Sequence, residues 1–289
     1  MDHPPGSRTL NEEHPTPAGT PVIPEGLEAT IVLLRHGESD WVAEGRFQGQ
    51  GNPELSPEGL RQAAQAGSRL AHPGAVPALP SPSGPPLEIR HSPLARTSQT
   101  AAAVAAAYAL RASDPTKVLV VPDAGLLEIG QGLWEGRLAT EIEERWGDVL
   151  AGWRQDPLAT WAPEGEPLPA VDRRVRASLG AILGDLATRA PATARHGSQV
   201  LGYAAAPGDE PWLVLVGHDG VFKIALLALL DLPLTRFWSF PFALCGITVI
   251  EIRAGRARLR AHNLTEHLGP LETERQRQLD DERGRSGAL

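Results

Sequence analysis

One cysteine, one methionine and two tyrosines occur among the 289 residues of the chain. The single cysteine, Cys245, excludes an intrachain disulfide framework and any multi-cysteine zinc site. No apolar run approaches the roughly 20 residues that a membrane-spanning helix needs. The opening stretch, MDHPPGSRTLNEEHPTPAGTPVIPEG, lacks the basic start and apolar core of a signal peptide. Positive charge is also short, with a formal net charge of -8. Such a surface repels nucleic acid and anionic membranes. The expectation is a cytoplasmic monomer or homodimer that binds neither. A chain of this kind that handles a small anion must gather arginine and histidine locally, against its own average.

Residues 1–27 are rich in proline, glycine and glutamate and are expected to form a disordered tail. Residues 269–289 carry charges of both signs and are expected to be a second tail. Between them, 28–268 is read as one domain, interrupted by surface loops at 72–86 and 190–211, where turn formers and small residues dominate. Apolar, β-branched runs predict strands at 30–34, 118–121, 213–216 and 247–252, with a further candidate at 87–90. Ser56-Pro57 opens a helix to about Leu70, with serine as N-cap and proline in the first turn. Ser92-Pro93 opens another to about Leu110. More helices are expected near 138–154, 170–189 and 220–231. This alternation predicts an α/β layered domain with a largely parallel sheet. Ligands of such sheets sit at the carboxyl ends of the strands.

The tripeptide Arg-His-Gly occurs twice, at 35–37 and 195–197. The first copy follows TIVLL, so Arg35 and His36 emerge at a strand end and Gly37 lets the backbone turn. The second follows PATA inside the proposed 190–211 loop. A reacting side chain has to be held to about half an ångström by a rigid element. His196 is therefore expected to be a solvated loop histidine. Three other strand ends carry polar residues suited to phosphate. RHSPLARTSQTAA places Arg96 in the first turn of a helix, DAGLLEIGQGLWEG carries Glu128, and LVLVGHDG carries His218 and Gly220.

In order, LLRHGESDW, ELSPEGLRQA, HSPLARTSQTA, LLEIGQGLWEG and LVGHDGVFK resemble the sequence blocks of the histidine phosphatase family. That family includes the cofactor-dependent phosphoglycerate mutases and the phosphatase domain acting on fructose 2,6-bisphosphate. The resemblance spans about residues 30–252. It implies a phosphoglycerate-mutase-like three-layer α/β sandwich, with helices flanking a largely parallel central sheet. It also implies covalent catalysis through a phosphohistidine, without metal or cofactor.

On that resemblance His36 is the nucleophile, kept neutral by a hydrogen bond from its other ring nitrogen to a carbonyl near Gly37. Arg35 and Arg96 clamp the phosphoryl oxygens. His218, protonated under the substrate's charge, completes the cradle, and N–H groups near Asp219 and Gly220 add donors. Glu128 protonates the leaving alkoxide and then activates water, which calls for a raised pKa. Glu135 and Glu38 are the alternatives for that role, Glu38 being assigned rather to orienting the loop. His91 is read as structural, Cys245 as a small core residue, and the tryptophans at 134, 146, 153 and 161 as core or lid packing.

The mutases usually carry Asn where this chain has Val42, and Thr where it has Gln48. Gln48 is similar to the broad-specificity and α-ribazole phosphatases, and is taken as a phosphate contact. Lysine occurs only at 117 and 223, too little basic charge for gripping a bisphosphorylated cofactor. The expected activity is therefore hydrolysis of a small phosphomonoester. A mutase and a catalytically inactive phospho-ligand binding module are the alternatives.

Overall fold

The computed structural model describes residues 21–111, 118–189 and 210–274. IVLL (31–34) and WLVLVG are apolar at successive positions rather than at alternate ones, the pattern of strands buried on both faces. They form β1 (Ala29–Arg35) and β4 (Trp212–Gly217), neighbours at the centre of a six-stranded sheet. β2 (Glu88–His91) and β3 (Leu119–Pro122) complete a parallel set, and β5 (Ile247–Arg253) and β6 (Arg256–Leu264) an antiparallel edge. The order is β3-β2-β4-β1-β5-β6, parallel from β3 to β1.

The two-residue period of the strands divides the core. Ile31, Leu33, Leu213 and Leu215 face one layer, with α5 (Leu168–Arg189) and α6 (Asp219–Leu229). Val32, Leu34, Val214 and Val216 face the other, with α2 (Pro57–Ala71) and α3 (Ala95–Arg111). The result is the three-layer α/β sandwich, with α4 (Ala139–Gln155) bent at Trp146.

Ser56 caps α2 as expected, its hydroxyl accepting from Gly59 N at 3.0 Å. α3 starts at Ala95 rather than at Pro93, because the Asn52 side chain, and not Ser92, caps it by accepting from Ala95 N at 2.7 Å. The sequence reading missed β6. Its run RARLRAHNL mixes charge with apolar residues, as an edge strand does to discourage further pairing. It also missed the one-turn helix α1 (Asp40–Ala43), capped by Ser39.

Both expected domain edges move outward. Val22 and Leu27 are buried against the core, and so is Leu271. Residues 1–20 and 275–289, most of the two proposed tails, lie outside the described residues. So do residues 190–209 of the proposed second loop, His196 among them. Residues 72–86 contain no helix or strand.

Candidate active site

Parallel pairing sets the first geometry. Arg35 of β1 lies in register with Gly217 of β4, so the next residues, His36 and His218, leave the sheet side by side. Their rings meet edge to face with centroids 5.1 Å apart, and both are buried. Gly37 is needed because a Cβ there would come within 2.5 Å of Gly59 O, at the start of α2. Its N–H donates to Thr100 Oγ1 at 3.2 Å. Thr100 lies one turn after Arg96 on α3, a helical spacing that places both on one face.

His36 Nδ1 lies 2.6 Å from Gly37 O. A carbonyl only accepts, so the proton sits on Nδ1 and Nε2 keeps its lone pair. Arg96 Nε donates to that lone pair at 3.3 Å. Arg96 is fully buried, and its other nitrogens donate to Gly51 O at 2.7 Å and Gly49 O at 2.8 Å. Arg35 Nη1 donates to Phe242 O at 2.5 Å, while its Nε has no partner among the described residues. Neither ring nitrogen of His218 has one either.

Electrostatics follow from this crowding. Burial, then Arg96 and Arg35, hold His36 well below the usual histidine range. Burial, Arg96 and His36 do the same to His218. Burial lowers Arg96 itself to about 10, with Arg35 adding to the effect and Glu128 opposing it. Burial raises Glu128 above the usual carboxylate range, against the N–H of Ile129 and with help from Asp219. Glu128 Oε1 accepts from Ile129 N at 2.9 Å and Val221 N at 3.1 Å, and Oε2 from Gly220 N at 3.2 Å. Oε1 is thereby saturated, and Oε2 is the oxygen with room for a proton.

His36, Arg35, Arg96, His218 and Glu128 thus share one edge of the sheet. Two candidates sit differently from expectation. The N–H of Gly220 is engaged by Glu128 rather than left for phosphate. Gln48 accepts through its side-chain oxygen from Ser39 Oγ at 2.6 Å, which ties it to the cap of α1. Glu135 accepts from Gln50 N and Gln131 N, each at 2.9 Å, and so joins two loops. Glu38 accepts from Ser56 Oγ at 2.8 Å, at the start of α2. His91 points Nδ1 to Ser92 O at 2.7 Å, and burial pushes the Cys245 thiol up to about 12. Sequence reasoning missed Thr100, Asn52, Gln50, Glu166 and Arg174. Only Thr100 carried a signal, its four-residue spacing from Arg96.

Fold and site together mark an α/β protein built for phosphoryl groups. The chain belongs to the histidine phosphatase superfamily (branch 1), whose sequence model matches residues 31–265. It is 28% identical over 245 residues to phosphoserine phosphatase 1 of Hydrogenobacter thermophilus, covering 84% of this chain and 96% of that protein. It is 30% identical over 244 residues to the bifunctional protein Rv2228c of Mycobacterium tuberculosis, covering 84% of this chain and only 56% of that longer relative. Among solved structures, mycobacterial glucosyl-3-phosphoglycerate phosphatase Rv2419c is similar at 27% identity and a TM-score of 0.62, over 82% of this chain and 99% of that one.

Proposed function

We propose that the protein hydrolyses a small phosphomonoester through a phosphohistidine on His36, and does so in the cytoplasm as a monomer or homodimer. The observation that carries this is the state of His36. Its Nδ1 proton is engaged by Gly37 O and its Nε2 lone pair is aimed at Arg96. That is a neutral nucleophile inside a cationic cradle.

Nε2 attacks phosphorus, the P–N bond forms, and the bond from phosphorus to the ester oxygen breaks. Glu128 passes the Oε2 proton to the departing alkoxide. Arg96 keeps its Nε proton and turns that hydrogen bond from Nε2 to a phosphoryl oxygen, beside the Arg35 guanidinium. His218 takes up a proton under the substrate's charge and donates to the same group. Glu128, now ionised, then removes a proton from water as its oxygen attacks phosphorus. The P–N bond breaks and inorganic phosphate leaves. With its side-chain oxygen held by Ser39, Gln48 is assigned a phosphate contact through its amide nitrogen, whereas Gly220 acts on the substrate through Glu128.

The test is phosphate release from a panel of phosphomonoesters in EDTA, beside the His36→Ala variant. The same samples are assayed for 3-phosphoglycerate to 2-phosphoglycerate conversion, with and without 2,3-bisphosphoglycerate. Release that disappears in the variant is expected. Isomerisation with little release would make the protein a mutase, and silence in both assays would make it a binding module.

A further inference from the structure

Glu128 sits in a stretch with no strand ladder to hold it, since β3 ends at Pro122 and two short 3-10 turns follow, at Ala124–Leu126 and Gly132–Trp134. Something else fixes it. Arg174, on α5, donates through Nη1 to Gly125 O at 3.1 Å and Leu127 O at 2.7 Å. Its Nη2 donates to Glu128 O at 2.9 Å. Its remaining N–H groups meet Glu166, Nε to Oε1 at 3.2 Å and Nη2 to Oε2 at 2.8 Å. A guanidinium has five N–H donors. All five are engaged within the chain, so none is left to grip a ligand anion.

Glu166 extends the grip. Its Oε2 also accepts from Gly130 N at 2.8 Å and from Gln50 Nε2 at 3.0 Å, and the same Gln50 nitrogen reaches Glu128 O at 3.2 Å. Burial acts to raise the Glu166 carboxyl, but Arg174 and the Gly130 N–H hold it below the usual range and the pair stays ionic. One ion pair thus binds the backbone on both sides of Glu128 and the carbonyl of Glu128 itself.

We propose that the Arg174–Glu166 pair is a positioning device for proton transfer: it sets the backbone of Glu128 so that the carboxyl seats against the N-terminus of α6, and it never touches substrate. The inference rests on Glu128 being the general acid.

Arg174→Met, Arg174→Lys and Glu166→Gln are compared with Glu128→Gln on an aryl phosphate and an alkyl phosphate. The quantity read is kcat/KM, which covers steps only up to departure of the alcohol. An aryl leaving group needs little protonation and an alkyl one needs much. Arg174→Met and Glu166→Gln are expected to lose at least about tenfold more on the alkyl ester than on the aryl one, in the direction of Glu128→Gln. The alkaline limb of the pH profile shifts with them, and competitive inhibition by inorganic phosphate stays within about twofold. Arg174→Lys, with three donors in place of five, falls between wild type and Arg174→Met. Equal losses on both esters with an unmoved pH limb would reduce the pair to a structural brace and overturn the proposal. Weakened phosphate inhibition would make Arg174 a ligand contact and overturn it too. If Arg174→Met does not fold, Glu166→Gln alone decides by the same leaving-group ratio. A wild-type enzyme that releases no phosphate, or a Glu128→Gln variant with no leaving-group dependence, defeats the underlying reading instead.

Discussion

Arg96 Nε lies 3.3 Å from His36 Nε2, and the same guanidinium is pinned by the carbonyls of Gly49 and Gly51. One side chain therefore holds the proposed nucleophile, adds to burial in keeping it unprotonated, and is the proposed ligand of phosphate. A lysine at 96 would supply charge but not three N–H groups in three fixed directions. Arg96→Lys is expected to lower kcat/KM by about 10²- to 10³-fold, the usual cost of one preorganised donor in such a site. Steady-state kinetics on an aryl phosphate checks it. A loss under about threefold would mean that charge alone suffices.

The two Arg-His-Gly copies separate cleanly in a mutational test. His36→Ala is expected to reduce turnover by at least about 10⁴-fold, as removal of a covalent nucleophile does. His196→Ala is expected to leave it unchanged. Acid-labile phosphate trapped on the protein from a labelled ester should vanish with the first variant and persist in the second. Equal effects would mean that the wrong copy was chosen.

That choice shows what sequence can reveal. An uninterrupted apolar run next to a polar tip marks a central strand end, and Arg35, His36 and His218 were placed by that local pattern. Arg96 followed from helix start chemistry. Glu128 was singled out on its Gly-rich segment, but its proton-transfer role needed the family resemblance, because that segment has no ladder and only two short 3-10 turns. Arg174 and Glu166 left no trace, since the bonds that tie them to the Glu128 segment go to backbone carbonyls and an amide 36 to 49 residues distant, which carry no side-chain code. β6 was hidden for a related reason. An edge strand is half solvated, and RARLRAHNL holds too many charges to read as apolar alternation.

Gly220 offers a test of fit rather than of backbone freedom. A Cβ there would come 2.7 Å from Glu128 Oε1 and 2.6 Å from Ile129 Cδ1, so the carboxyl has to move. A displacement near 1 Å at a proton-transfer group costs about 10²-fold. Gly220→Ala is expected to fall by that order in kcat/KM for alkyl phosphates, with a smaller loss for aryl phosphates. Thermal unfolding should shift by only a few degrees. Equal losses on both esters would place the damage in phosphate binding instead.

The two buried histidines also predict how stability changes with pH. Both are held well below the usual histidine value of 6.5, mainly by burial. Below that value the unfolded chain binds two protons there that the folded chain refuses, so stability falls as pH falls. Each contributes up to about 1.4 kcal/mol per pH unit. Glu128 has the opposite sign: its raised pKa stabilises the fold below the ordinary carboxylate value, a contribution lost as pH rises through the folded value. One proton gained on Glu128 offsets only one of the two lost on the histidines, so the net slope stays positive between the ordinary carboxylate and histidine values. His267, held at about 4 by burial, and His262, also lowered by burial, add to it. The difference between wild type and His218→Asn isolates one histidine. Urea midpoints measured from pH 5.5 to 7 should show a shallower dependence in the variant, by about one proton. Inorganic phosphate should flatten the wild-type curve in the same way, because its negative charge lets His218 protonate in the folded state. An unchanged slope in His218→Asn would mean that this ring is protonated in the free protein, and that it needs no substrate charge to take up its proton.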